Sequence, residues 1–276
     1  MRCKLIYLIS SFLIVGLPVH AVELCGKAMQ GEILVGHAQG STEIKFNDTT
    51  ITPDENGTFL LALGRDEAPK AHLQIKTSEG TKNYTLEIGA TSWDIQNIKG
   101  IPPRKVTPSD SDMRSIEYEQ KLVKAAQQTK NLTPMWQSGF VNPLEGRISG
   151  EFGGQRIMNG VKKNPHSGQD IAAMEGTPIK SSGDGIVTLS EPGLFYSGNI
   201  VIIDHGYGLH TIYAHMKDIN VKTGDKIKKG DIIGTVGKTG RATGPHLHWG
   251  ASVNGIKFNP PSLLNINNND DFCFNL

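Results

Sequence analysis

Cysteine is scarce in this chain: three in 276 residues, at positions 3, 25 and 273. Thiols so widely spaced lack the close pairing of a cysteine-ligated zinc site. Aromatics make up only 7% of the residues against 32 glycines. That balance suits strands joined by tight turns rather than a helical bundle. An excess of one charge is missing too. The formal net charge is +1, so no electrostatic footprint for nucleic acid exists. Beyond the amino-terminal segment no apolar run is long enough to cross a bilayer. No histidine is followed by glutamate, which excludes the H-E-x-x-H helix of the zincins. Only the short polar stretch Asn265 to Asp271 has a disordered composition.

What is present begins with an export signal. The basic start Met1-Arg2-Cys3-Lys4, the apolar run Leu5 to Leu17 and the small residues of Val19-His20-Ala21 form a secretory signal over residues 1–21. An uncleaved anchor is the alternative. The mature chain is expected to start near Val22 and to have no stable membrane insertion. Cys3 leaves with the signal, and Cys25 and Cys273 then stand near opposite ends of the mature chain. In an oxidising compartment they are expected to pair. Zinc thiolates and lipidation at Cys25 compete with that reading; bulky Leu24 and charged Glu23 oppose lipidation.

The mature chain is long enough for two small domains. In residues 22–105, Ile44 and Phe46, then Phe59, Leu61 and Leu63, then Leu73 and Ile75, then Tyr84, Leu86 and Ile88 alternate with other residues. Asn56-Gly57 and Glu79-Gly80 mark turns, and the pattern predicts a small antiparallel, Ig-like β-sandwich. His37 and His72 are isolated there and read as packing or surface residues. Pro102-Pro103 and Pro108 open a linker over 106–135, within which Ser109 and Asp112 resemble a capping box. Met113, Ile116, Val123 and Ala126 follow at helical spacing, predicting one amphipathic helix. Residues 136–265 carry β-branched runs separated by glycine turns, an antiparallel β-rich domain. Residues 266–276 read as a polar tail. The class is mainly β.

Two histidine clusters lie in the last domain: His166-Ser167-Gly168-Gln169-Asp170 and Pro245-His246-Leu247-His248-Trp249. On a strand His246 and His248 share one face, about 7 Å apart, and Leu247 points into packing. His166 and Asp170 would be about 13 Å apart on a straight strand, so the bend permitted by Gly168 is needed to bring them together. Parity along Leu209 to His215 groups His215 with Tyr213 and Thr211, and His210 with Ile212 and Ala214. With His215 facing a site, His210 faces away, and both His210 and His205 read as structural.

The ordered set His166-x-x-x-Asp170, Tyr213-x-His215 and His246-x-His248 resembles the lysostaphin/LytM-type zinc metallopeptidases that cut peptidoglycan. Gly150-Glu151-Phe152-Gly153 and the run Gly240 to Pro245 supply matching context, over roughly Phe140 to Pro260. The part ahead of it more weakly resembles Gram-negative members. The resemblance implies one zinc ion on His166, Asp170 and His248, with His215 and His246 as the catalytic pair. It implies an endopeptidase acting on the peptide portion of peptidoglycan, in the periplasm or cell envelope or secreted. A cross-link containing meso-diaminopimelate suits such a member better than a glycine bridge. The alternative is a non-catalytic relative that binds the wall or activates another hydrolase; such relatives lose ligands that this chain keeps. The sequence names no regulatory partner.

Overall fold

The computed structural model describes residues 22–100, 109–129, 131–267 and 272–276. The export signal and the prolines at 102, 103 and 108 lie outside them. Chain order is β1 (Glu23–Cys25), β2 (Ile33–His37), β3 (Ser41–Phe46), β4 (Thr49–Ile51), β5 (Thr58–Ala62), β6 (Lys70–Thr77), β7 (Gly80–Glu87) and β8 (Ile95–Ile98). Helix α1 (Asp110–Ala126) follows, then β9 (Arg147–Gly150), β10 (Gln155–Met158), β11 (Val161–Lys162), β12 (Gly168–Ala172), β13 (Pro178–Lys180) and β14 (Gly185–Leu194). The remainder is β15 (Gly198–Asp204), β16 (Leu209–Ile219), β17 (Lys226–Ile227), β18 (Ile232–Val236), β19 (His246–Val253), β20 (Ile256–Phe258) and β21 (Cys273–Asn275).

Two four-stranded antiparallel sheets, β21-β1-β2-β5 and β4-β3-β6-β7, enclose the first core. Alternation holds in β6, where Ala71, Leu73 and Ile75 are buried and Lys70, His72 and Lys76 are exposed. It does not describe β2 and β5, which are buried on both faces. Leu34, Phe59 and Leu61 enter the sandwich core, whereas Ile33, Val35, Leu60 and Ala62 join the core of the second domain. A strand covered on both faces reads as a continuous apolar run, as Phe59-Leu60-Leu61-Ala62-Leu63 does.

The chain's end departs from a free polar tail. Residues 273–275 return as β21 beside β1, with Cys273 opposite Cys25 and the two bonded as a disulfide. Phe274 and Leu276 pack on the sandwich core, so the apolar members of a polar-looking segment dictate where it docks.

The second domain is built on the sheet β17-β14-β15-β16-β19-β12-β9, extended by β18, β13 and β20. One face buries Val187, Val201, Ile203, Tyr213, Leu247 and Trp249. The other carries Ile200, Ile202, Ile212 and Ala214, against which α1 lays Leu122, Val123 and Ala126. The helix starts on the expected capping box: Ser109 accepts from Asp112 N, and Ser109 N donates to the Asp112 carboxylate. Segment 95–98 pairs in parallel with β10, tying the end of the sandwich to the second domain. Among the described residues no helix is long and apolar enough to cross a membrane.

His205 and His210 are fully buried. His205 donates from Nδ1 to Asp184 O at 2.6 Å, and the Thr211 hydroxyl bridges its Nε2 and the Tyr213 hydroxyl at 2.7 and 3.0 Å. Burial drives the His205 pKa down to about 4, although the bond to the Asp184 carbonyl opposes the shift. The folded pKa lies below the unfolded value of about 6.5, so the unfolded state binds the extra proton. Stability is therefore complete above about pH 6.5 and falls as pH drops towards 4. Between pH 7 and pH 5 the metal-free protein should lose about 2 kcal/mol through this residue. Urea unfolding of wild type and His205→Gln at both pH values checks this; parallel losses in the two proteins refute it.

Candidate metal centre

The site is assembled by the register of two strands. Antiparallel pairing of β12 with β19 puts Asp170 opposite His248 and Ala172 opposite His246. Leu247 and Ile171 go to the core, so His246, His248 and Asp170 share the opposite face. His166 precedes β12, in a segment held by His166 N to Gly154 O and Gly153 N to His166 O. Its ring then reaches the Asp170 carboxylate, with Nε2 3.0 Å from Oδ1. Two glycines make room. A Cβ on Gly168 would lie 2.8 Å from His248 Nε2, and one on Gly150 2.8 Å from Asp170 Oδ2.

His166 Nε2, Asp170 Oδ1 and His248 Nδ1 converge, with the two remaining separations 3.1 Å between the histidines and 2.9 Å from His248 to Asp170. These residues form a group able to hold a metal ion. Burial alone would raise the Asp170 pKa, but the His166 and His248 rings packed against the carboxylate outweigh it and hold the carboxyl well below its usual range. Burial also lowers the His248 pKa, against the hydrogen bond to Asp170. One carboxylate oxygen and two imidazole nitrogens that point at one another suit a small divalent cation.

His246 and His215 sit beside this group. His246 Nε2 is 3.7 Å from Asp170 Oδ1, and the rings of His215 and His246 are 4.8 Å apart. His166 donates from Nδ1 to Glu151 O at 2.8 Å, His215 to Thr239 O at 2.9 Å and His246 to Gly244 O at 2.9 Å. A carbonyl only accepts, so each of these rings carries its proton on Nδ1 and presents an Nε2 lone pair. Burial, then the neighbouring His248 and His246, push the His215 pKa down to about 4.

His215 joins the site by a route that parity did not predict. Tyr213 faces the core with its hydroxyl on Ser182 N, and simple alternation would send His215 after it. Instead His215 adopts φ +63°, and the β15–β16 register shifts between Asn199 and Val201. The kink turns His215 to the side of Ala214 and the other histidines. His210 does not face away from the site as expected: it shares the Ile212 and Ala214 face of β16 that pairs beside His248, and Thr129 seals it there, with Thr129 Oγ1 2.9 Å from its Nε2. His37 and His72 are exposed and remote from the cluster.

The residue not singled out from the sequence is Glu119. It is 5% exposed and faces the sheet from α1. Its Oε2 accepts from Tyr196 N at 2.7 Å, and its Oε1 accepts from Ser197 N and Oγ at 3.0 and 2.6 Å. Ser197 O in turn accepts from His215 N at 2.8 Å. The helix is thus clamped to the turn beside His215. The signal was there: Glu119 falls three residues after Ile116, a carboxylate within the apolar stripe.

Residues 164–260 match the model of Peptidase family M23, a span that contains all five site residues. Peptidoglycan DD-endopeptidase ShyA of Vibrio cholerae is 44% identical over 126 residues, 44% of this chain and 29% of that protein. DD-carboxypeptidase/endopeptidase Mpg of Neisseria meningitidis is 45% identical over 98 residues, 36% of this chain and 22% of that protein. The chain thus matches less than a third of the length of these curated relatives. A crystal structure assigned to the M23 peptidases, from Pseudomonas aeruginosa, superposes with a TM-score of 0.66 at 24% identity, covering 88% of this chain and 97% of that one. That likeness extends the shared fold across both domains.

Glu119→Ala should leave the amides of Tyr196 and Ser197 without an acceptor and cost about 1.5–3 kcal/mol. Hydrogen exchange at Tyr196, Ser197 and His215 should rise together. Unchanged protection at His215 would show that the clamp does not reach it.

Proposed function

With residues 164–260 identified as a domain of peptidase family M23, we propose that the protein is a zinc-dependent endopeptidase hydrolysing peptide cross-links or stem peptides of peptidoglycan. The observation that carries this reading is the convergence of His166 Nε2, Asp170 Oδ1 and His248 Nδ1 beside two imidazoles with free Nε2 lone pairs. In a tetrahedral zinc site, bonds of about 2.0–2.1 Å separate the ligand atoms by roughly 3.3 Å, close to the spacing of these donors. His166, Asp170 and His248 would hold the ion. A zinc ion there supplies Lewis acidity, polarising the scissile carbonyl and acidifying water.

The protein's own groups manage the proton. His246 takes it from the attacking water through Nε2, its ring fixed by the Nδ1 bond to Gly244 O. His215, kept neutral by burial, accepts a hydrogen bond from the same water and orients it. Once it has taken that proton, the His246 imidazolium presents Nε2–H to the developing oxyanion and then gives the proton to the departing amine. Thr239 O, in holding His215 Nδ1, keeps that ring from turning away.

The relatives named as peptidoglycan DD-endopeptidases support the wall as substrate. The Cys25–Cys273 disulfide supports an oxidising compartment, the periplasm or cell envelope of a Gram-negative bacterium. A non-catalytic wall-binding module has no need of a full donor set flanked by two further imidazoles.

Zinc-loaded full-length protein incubated with isolated sacculi should release fragments cut within the peptides, identified by mass spectrometry. His246→Ala should lower the rate by about 10²–10⁴-fold with bound zinc retained. Absence of peptide cleavage by the zinc-loaded wild type would sink the enzyme reading.

A further inference from the structure

Two of the three convergent donors are set by strand pairing, and the third is not. Asp170 and His248 face each other across β12 and β19. His166 lies ahead of β12, and its place depends on the segment Glu151-Phe152-Gly153-Gly154. His166 Nδ1 donates to Glu151 O at 2.8 Å, His166 N to Gly154 O at 2.8 Å, and Gly153 N to His166 O at 2.9 Å. Beyond Gly154 the chain runs on through Arg156 and Lys162, which border a groove of about 1060 Å³ that reaches His248.

The other side of that segment is gripped from the sandwich. Arg65, just past β5, donates from Nε to Gly153 O at 2.6 Å. Its side chain is only 16% exposed, so the bond is shielded from water. Asp66 pairs with the same guanidinium. Trp93 covers the same peptide: its ring meets Phe152 edge-on, centroids 5.7 Å apart, and its Nε1 donates to Arg65 O at 3.2 Å. Gly153 has φ +80°, and a Cβ there would lie 2.2 Å from the indole. The ring therefore closes directly on backbone that only glycine leaves open. Asp94 O accepts from Gln155 N at 2.8 Å, and Thr91 fixes this stretch to the sandwich by donating to Gln30 O at 2.8 Å.

Ile33, Val35, Leu60 and Ala62 already join the two domains by burial in the second core. Arg65 and Trp93 act elsewhere, on the one segment whose backbone orients His166. A ring held by backbone bonds is only as well placed as that backbone, and groups one contact beyond a ligand tune metal affinity.

We propose that Arg65 and Trp93 are positioning residues for His166, so that the sandwich sets the metal affinity of a centre built on the other domain. The inference rests on the metal reading of that centre and adds residues that lie outside the matched span 164–260. Without Arg65, Gly153 O loses its cationic donor, the segment 151–154 loosens, and His166 loses its fixed approach to Asp170 and His248.

The test is zinc affinity of the full-length protein, measured by competition with a chromophoric chelator. Arg65→Gln and Trp93→Phe should each bind zinc about tenfold more weakly than wild type. Arg65→Lys, which keeps a cationic donor, should recover most of the loss. Leu73→Ala, a truncation within the sandwich core, should lower the unfolding temperature and leave zinc affinity unchanged. In the metal-free protein, amide exchange at Gly153 and His166 should be faster in Arg65→Gln. Wild-type zinc affinity in both Arg65→Gln and Trp93→Phe overturns the proposal, as does an equal loss in Leu73→Ala or unchanged exchange at His166. A wild type that binds no zinc fails the metal reading itself, and this inference with it. Cleavage is not the readout, so a protein that binds zinc and cuts nothing leaves the positioning role standing.

Discussion

Antiparallel pairing of β12 with β19, in the one register that sets Asp170 across from His248, carries the rest of the site. Side chains alternate along a strand, so a slip by one residue would send His246, His248 and Asp170 into the core and bring Leu247 and Ile171 out. The register is held from the other side by burial, since Leu247 and Trp249 are fully enclosed. Glycine enters where the strands must close on the site groups: Gly168 under His248 and Gly150 beside Asp170. Hydrophobic burial on one face therefore fixes polar geometry on the other, and the carboxylate meets His246 and His248 through strand pairing, while His166 comes from the segment ahead of β12.

The sandwich and the linker helix share in this placement. Ile33, Val35, Leu60 and Ala62 belong to the same buried cluster as Trp249 and Phe258, so a change in the β2–β5 layer is felt behind the strand that bears His246 and His248. The Cys25–Cys273 bond and β21 close the chain on the sandwich after it has left the second domain. On the opposite face α1 is attached by aliphatic packing and by one buried carboxylate. Glu119 converts what reads as a connector into part of the wall next to His215.

Legibility followed how local each signal was. His246-x-His248 could be read because period-two alternation needs only two residues and a strand. The helix could be read because its cap and its apolar spacing both lie within the segment. The strands β2 and β5 were only half legible: the apolar run was visible, but its second face is buried by residues far along the chain. His215 was assigned through resemblance and parity, yet parity was the wrong reason. Its φ of +63° turns the ring across the sheet, and no pattern of residue types around Tyr213-Ala214-His215 announces that kink. Cys273 could be matched to Cys25 by counting, but nothing polar about its neighbours foretold a strand. Glu119 was concealed by the rule that charged residues on a helix face water.

Charge ties the centre to the groove. Asp170 is the one carboxylate among four imidazoles, and burial with mutual repulsion keeps His215 and His248 from carrying protons. Asp170 supplies the cluster's one carboxylate, and a divalent cation held there would more than offset its charge. A loaded centre would then be positive, and Lys124, Arg156, Lys162 and Lys257 line the groove beside it. Fields of one sign reinforce each other in a concave, poorly hydrated surface. An anion entering the groove would feel that field along its whole length rather than at the ion alone.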